Sequence, residues 1–152
     1  MSTPPAPTLV FQWLEREQLA VIYQGSQRAS QDEWRAYLTF LRGIADVEHR
    51  AVVYSGCHVS RSEQDELKQA TSGRAKPRVA LLSPSTAVRF VATMFTLLNR
   101  NLRFFAPSDF EAALAHLACS PEEQALVTRT YQALRARVEG GASTALSGAS
   151  AS

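Results

Sequence analysis

One short stretch, "VVYSGCHVSRSEQ" from Val52 to Gln64, brings together the side chains best suited to chemistry: Cys57, His58, Ser60 and Ser62. A cysteine beside a histidine suggests a thiolate–imidazole pair. In extended backbone, however, neighbouring side chains point to opposite faces, so adjacent residues cannot readily pair. The phosphatase spacing of cysteine, five residues, arginine is also missing, because Arg61 follows Cys57 after three residues. His49 or His116 could meet Cys57 only through the fold. The favoured reading is a buried or half-buried thiol. Two cysteines and three histidines without close-paired spacing fall outside the common zinc patterns, so no metal is expected. Nor do Cys57 and Cys119 make a disulfide framework.

The serines have two readings. Ser60 precedes a polar run with Glu63 three residues on, the signature of a capping box. A helix N-terminus also suits a phosphate, through its free N–H groups and its dipole. Glu63 and Asp65 would repel that phosphate, which favours Ser60 as a cap alone. Ser60, Arg61, Ser62 and Glu63 are therefore the candidates for a phosphorylation site or a partner contact.

A second set lies at expected strand ends. In parallel α/β sheets ligands sit beyond the carboxyl ends of the strands. Gly25, Ser26, Ser55, Gly56, Ser83, Ser85, Thr86 and Ser108 fall there, and Arg89 follows in an otherwise apolar segment. Ser83, Ser85, Thr86 and Arg89 could hold an anion or small ligand at a helix N-terminus. Helix starts call for serine and threonine anyway, so capping is the favoured reading. Without a GxGxxG stretch or a P-loop lysine, no nucleotide cofactor is expected.

The elements that must position these residues follow from periodicity. Leu9 to Leu14 and Leu19 to Tyr23 favour strands, and the intervening "EREQ" predicts an antiparallel hairpin. Trp34, Tyr37, Leu38 and Leu41 have helical spacing behind a Ser30–Glu33 box, with Gly43 placed to close the helix in the left-handed conformation. Ala51 to Tyr54 is a short buried strand. The helix begun by Ser60 has Leu67 as its only large apolar residue up to Gln69, so it is mostly solvated. Gly73 is expected to end it. Arg78 to Leu82 is a strand, Pro84 to Leu98 a broadly apolar helix, and Leu102 to Phe105 a strand. Two boxed helices follow, one from Ser108 with Glu111, one from Ser120 with Pro121 and Glu123. Their inward residues are Phe110, Ala113, Leu114 and Leu117, then Val127, Tyr131, Leu134 and Val138.

The order β-β-α-β-α-β-α-β-α-α predicts an α/β domain with a five-stranded, mostly parallel sheet and five helices over residues 9–139. Residues 1–8, Pro-rich, and 140–152, low in complexity, are expected to be flexible. At 152 residues the chain is one domain that buries about two-thirds of its unfolded surface. A net charge of +2, with basic residues scattered except in "GRAKPR", gives no reason to expect nucleic acid. There is no signal-peptide pattern and no apolar run of the roughly 20 residues that span a bilayer. No membrane insertion and a cytoplasmic location are the resulting expectations. The surplus apolar arc of the Pro84 to Leu98 segment predicts weak or moderate self-association, with a homodimer as one form of it; the alternative is a monomer in which the Pro121 to Val138 helix covers that arc.

From Leu9 to Leu117 the chain resembles the STAS-like fold of anti-sigma-factor antagonists. The likeness lies in the opening hairpin, the β-α alternation, and "RVALLSPSTAVRFVATMF…LRFFAPSDFEAALAHL". That last part is similar to the family's closing strand, helix, strand and "S-x-x-E-A" unit. Regulatory members carry an Asp-Ser-Ser/Thr-Gly-type motif, phosphorylated on serine, after the third strand. The corresponding stretch here is "YSGCHVSRSEQ", with serines but not the motif. The resemblance implies a protein-interaction module without catalysis. The alternative is a small-molecule or anion-binding protein, or an enzyme, using the strand-end serines, Arg89 and Cys57.

Overall fold

The computed structural model describes residues 6–84 and 101–140. Strands β1 (Leu9–Leu14) and β2 (Leu19–Gln24) form the expected antiparallel hairpin, with Leu14 opposite Leu19. Strands β3 (Arg50–Ser55), β4 (Arg78–Leu82) and β5 (Leu102–Phe105) then add in parallel, giving the sheet order β1-β2-β3-β4-β5. The mixed, mostly parallel α/β sheet agrees with the sequence reading.

Helices cover both faces. On one lie α1 (Gln31–Ile44) and α2 (Arg61–Ala70), against Leu9, Ala20, Ile22 and Ala51. On the other lie α3 (Phe110–His116) and α4 (Pro121–Arg135), against Val10, Leu19, Val21, Tyr23, Val52, Ala80 and Leu82. Alternate residues of β2 thus enter opposite layers, which is why the whole strand is buried.

The described residues hold four α-helices where five were expected. Beyond Pro84, the helix expected to run to Leu98 lies outside the described residues. Three further expectations need correction. Gly43 does not close α1 in the left-handed region; the helix continues through Ile44, which it buries, and is capped by Ala45 in the right-handed region. Gly73 does not end α2, which stops at Ala70. Instead it lies so close to α1's end that an added Cβ would stand 2.2 Å from the Ala45 carbonyl oxygen. Ser108 makes no capping box. Pro107 opens a 3-10 turn, Pro107–Asp109, so α3 starts at Phe110 with Asp109 as an N-cap whose side chain makes no capping bond.

The boxes at Ser30, Ser60 and Ser120 are all present. In the first, Glu33 also accepts from the Thr8 amide at 2.8 Å, the Thr8 hydroxyl at 2.7 Å and the Leu9 amide at 3.2 Å. One carboxylate therefore starts α1 and fastens β1 to it. No helix among the described residues is long and apolar enough to cross a membrane.

Candidate functional site

The turns after β2 and β3 press together at the carboxyl edge of the sheet. The Gly56 amide donates to the Gln24 carbonyl at 2.8 Å. A Cβ on Gly56 would stand 3.0 Å from the Gly25 carbonyl carbon, so only glycine fits this approach without a backbone shift. Buried Gln24 donates from Nε2 to Cys57 Sγ at 3.4 Å, and Ser55 Oγ donates to the Cys57 carbonyl at 3.2 Å. Burial, with some help from the Glu63 charge, raises the Cys57 thiol above its ordinary value. That is the opposite of what a nucleophilic cysteine needs. The thiol donates to the His58 backbone carbonyl at 3.5 Å, and no Cys57–His58 side-chain bond forms.

Ser60 and Glu63 are drawn together as predicted. Ser60 Oγ accepts from the Glu63 amide at 3.2 Å, and Glu63 Oε1 accepts from the Ser60 amide at 2.9 Å. Ser62 Oγ lies 3.3 Å from Ser60 Oγ. Arg28, from the loop before α1, pairs with Glu63 at 3.3 Å, a contact with no signal in sequence. Arg61 and Ser62 are exposed. A phosphate on Ser60 would displace the cap and face Glu63. Among the anion candidates, Ser83 is wholly buried behind the end of β4, and Ser85, Thr86 and Arg89 lie outside the described residues.

On the other face of the same edge is a cavity that sequence reasoning missed. Parallel pairing sets Tyr23 of β2 beside Tyr54 of β3, with ring centroids 4.4 Å apart and planes 7° from parallel. Tyr131 of α4 meets both edge-on, and Phe110 of α3 lies 4.6 Å from Tyr131. A π-helical turn, Ala136–Gly140, follows α4 and buries Val138, while Glu139 accepts from the Tyr23 hydroxyl and, at 2.8 Å, from Arg135 Nε. The cleft between them is about 220 Å³, partly open to solvent, and is completed by Pro107, Thr128, Gln132 and Arg135. Burial raises all three tyrosines, so each phenol keeps its proton and can donate. The available signals were two tyrosines ending apolar strands and Tyr131, Arg135 and Glu139 spaced four apart. Nothing local said that they would converge.

At the amino edge lies a wider basin of about 430 Å³, lined by His49, Arg50, Lys76 and Arg78. It gathers two of the basic residues of "GRAKPR". Arg50 is already engaged with Glu123 at 2.6 Å and with the Glu17 and Leu117 carbonyls. No group of three or more histidine, cysteine or acidic side chains is placed to hold a metal among the described residues. Comparison with family models, curated proteins and solved structures returns no match.

Proposed function

We propose that this chain is a STAS-like, non-enzymatic interaction module that recognises a protein partner through the β3–α2 turn and the exposed face of α2. The observation that supports the reading is the way α2 is held. Of its ten residues only Ala70 is buried. A helix that short and that polar is marginal by itself. Yet it is fixed at its start by the Ser60–Glu63 box, by Gln64 Nε2 donating to the Val59 carbonyl at 3.0 Å, and by Arg28 on Glu63. A polar helix held this firmly contributes little core; what it offers is a preordered surface, which lowers the entropic cost of recognition. The raised Cys57 thiol agrees with the absence of a nucleophile from the reading.

The test is site-specific crosslinking. A photoreactive residue at Asp65 or Gln69, both exposed on α2, should trap a discrete protein from the native source. Capture should fall at least about tenfold in an Arg61→Glu, Lys68→Glu double variant of unchanged stability, as for loss of a contact residue. Capture of nothing, or equal capture by the double variant, would remove this reading.

A further inference from the structure

We infer that the tyrosine cavity at the carboxyl edge is a binding site for a small aromatic carboxylate. The walls are the flat faces and edges of Tyr54, Tyr131 and Phe110. An apolar protein cavity of about 150 Å³ accepts benzene. The 220 Å³ here suits a single ring carrying a short substituent.

The polar groups set the charge of that substituent. Tyr131, which lines the cavity, is only 8% exposed as a residue; its hydroxyl is not wholly buried and has no hydrogen-bond partner among the described residues. A phenol buried to this degree normally finds a partner. Here the open space is where the partner would sit. Arg135 commits Nε to Glu139 and leaves its terminal N–H groups at the rim. Glu139, the only carboxylate on the cavity among the described residues, is already engaged by Tyr23 and Arg135. The Tyr131 hydroxyl and the terminal N–H groups of Arg135 can donate to a guest, beside Gln132, whose amide can both donate and accept. A guanidinium and a phenol side by side suit a carboxylate, and the rings suit a flat apolar body. A quaternary ammonium, the usual guest of aromatic cages, has no N–H to donate and cannot accept a hydrogen bond, whereas a carboxylate can take the terminal N–H groups that the Arg135–Glu139 pair leaves over.

This site is independent of the α2 surface and can stand or fall without it. The test is calorimetric titration of the full chain with benzoate, phenylacetate and 4-hydroxybenzoate, alongside acetate, cyclohexanecarboxylate and benzyltrimethylammonium. Saturable binding tighter than about 1 mM is expected for at least one aromatic acid and for none of the comparison compounds. Tyr131→Phe keeps the ring and removes only the unpartnered hydroxyl. It should weaken binding about tenfold while leaving the melting temperature unchanged or higher. Arg135→Gln should weaken it at least as much. The proposal is overturned by no saturable binding of any aromatic acid, by undiminished affinity in Tyr131→Phe, or by a preference for benzyltrimethylammonium.

Discussion

Arg50 joins three segments that are far apart in sequence, and its removal tests how the two helical layers are coupled. Its guanidinium meets Glu123 with a fork, Nη2 to Oε2 at 2.6 Å and Nη1 to Oε1 at 3.2 Å. The same two nitrogens donate to the Leu117 carbonyl at 3.2 Å and the Glu17 carbonyl at 3.1 Å. The first carbonyl ends α3 and the second belongs to the β1–β2 turn. Both charged side chains are about one-quarter exposed, 23% and 24%, so solvent screens the pair only in part. Two carbonyl bonds at about 1 kcal/mol each, with a forked pair of about 1–2 kcal/mol, give about 3–4 kcal/mol for Arg50→Ala. Arg50→Lys keeps the charge but not the fork, and should cost about 2 kcal/mol. Urea unfolding monitored by tryptophan fluorescence would measure both, with the m-value held constant as the check on two-state behaviour. Glu123→Gln retains an acceptor for the Ser120 cap, so a cycle of Arg50→Ala with Glu123→Gln isolates the pair, with an expected coupling of about 1–2 kcal/mol. If Arg50→Ala lies within about 1 kcal/mol of wild type, the network does not hold the turn, α3 and α4 together, and the reasoning fails.

Ser60→Ala should cost about 1 kcal/mol through loss of the cap, whereas Ser60→Asp should stay within about 0.5 kcal/mol of wild type because aspartate caps as well; chemical denaturation of both variants decides, and equal losses would contradict the cap. Glycine-to-alanine changes should have opposite signs at two sites. Gly43 is inside α1 with nothing within 4 Å of an added Cβ, so Gly43→Ala should stabilise by about 0.5–1 kcal/mol, while Gly73→Ala, against the Ala45 carbonyl, should destabilise by about 1–3 kcal/mol or more. Melting temperatures moving the same way would refute one of the two environments. At Glu33, burial pushes the carboxyl up, but hydrogen bonds from Ser30, Thr8 and Leu9 outweigh it and hold it at about 2, against an ordinary 4.5. Arg50 and Ser120 hold Glu123 at about 2 as well. Folded values below unfolded ones mean that both contributions are present above about 4.5 and are lost as pH falls toward 2. Discounted for solvent exposure, each is about 1 kcal/mol, and Glu33→Gln should remove about 1 kcal/mol of the acid-side loss of stability in a urea–pH series, with Glu123 and the likewise lowered Glu139 supplying the rest.

Features that depend on residues a few positions apart could be read before any fold was known. All five strands stand within a residue of their predicted bounds, because apolar runs cut by turns are local signals. The Ser30, Ser60 and Ser120 boxes formed for the same reason: each is a bond between residues three apart. The failures were also instructive. Gly43 fits a helix end locally, but burying Ile44 against the sheet outweighs that preference. Gly73 looked like a stop signal, yet its role is close approach to Ala45, a segment 28 residues earlier. Ser108 had the right spacing, but Pro107 took the first turn as 3-10. The tertiary structure alone decided the edge where binding is proposed. Tyr23 meets Tyr54 through strand register, and Tyr131 and Glu139 reach them because α4 folds back over β2. Register and layer order are settled by burial summed over the whole sheet, and no short window of sequence contains that sum.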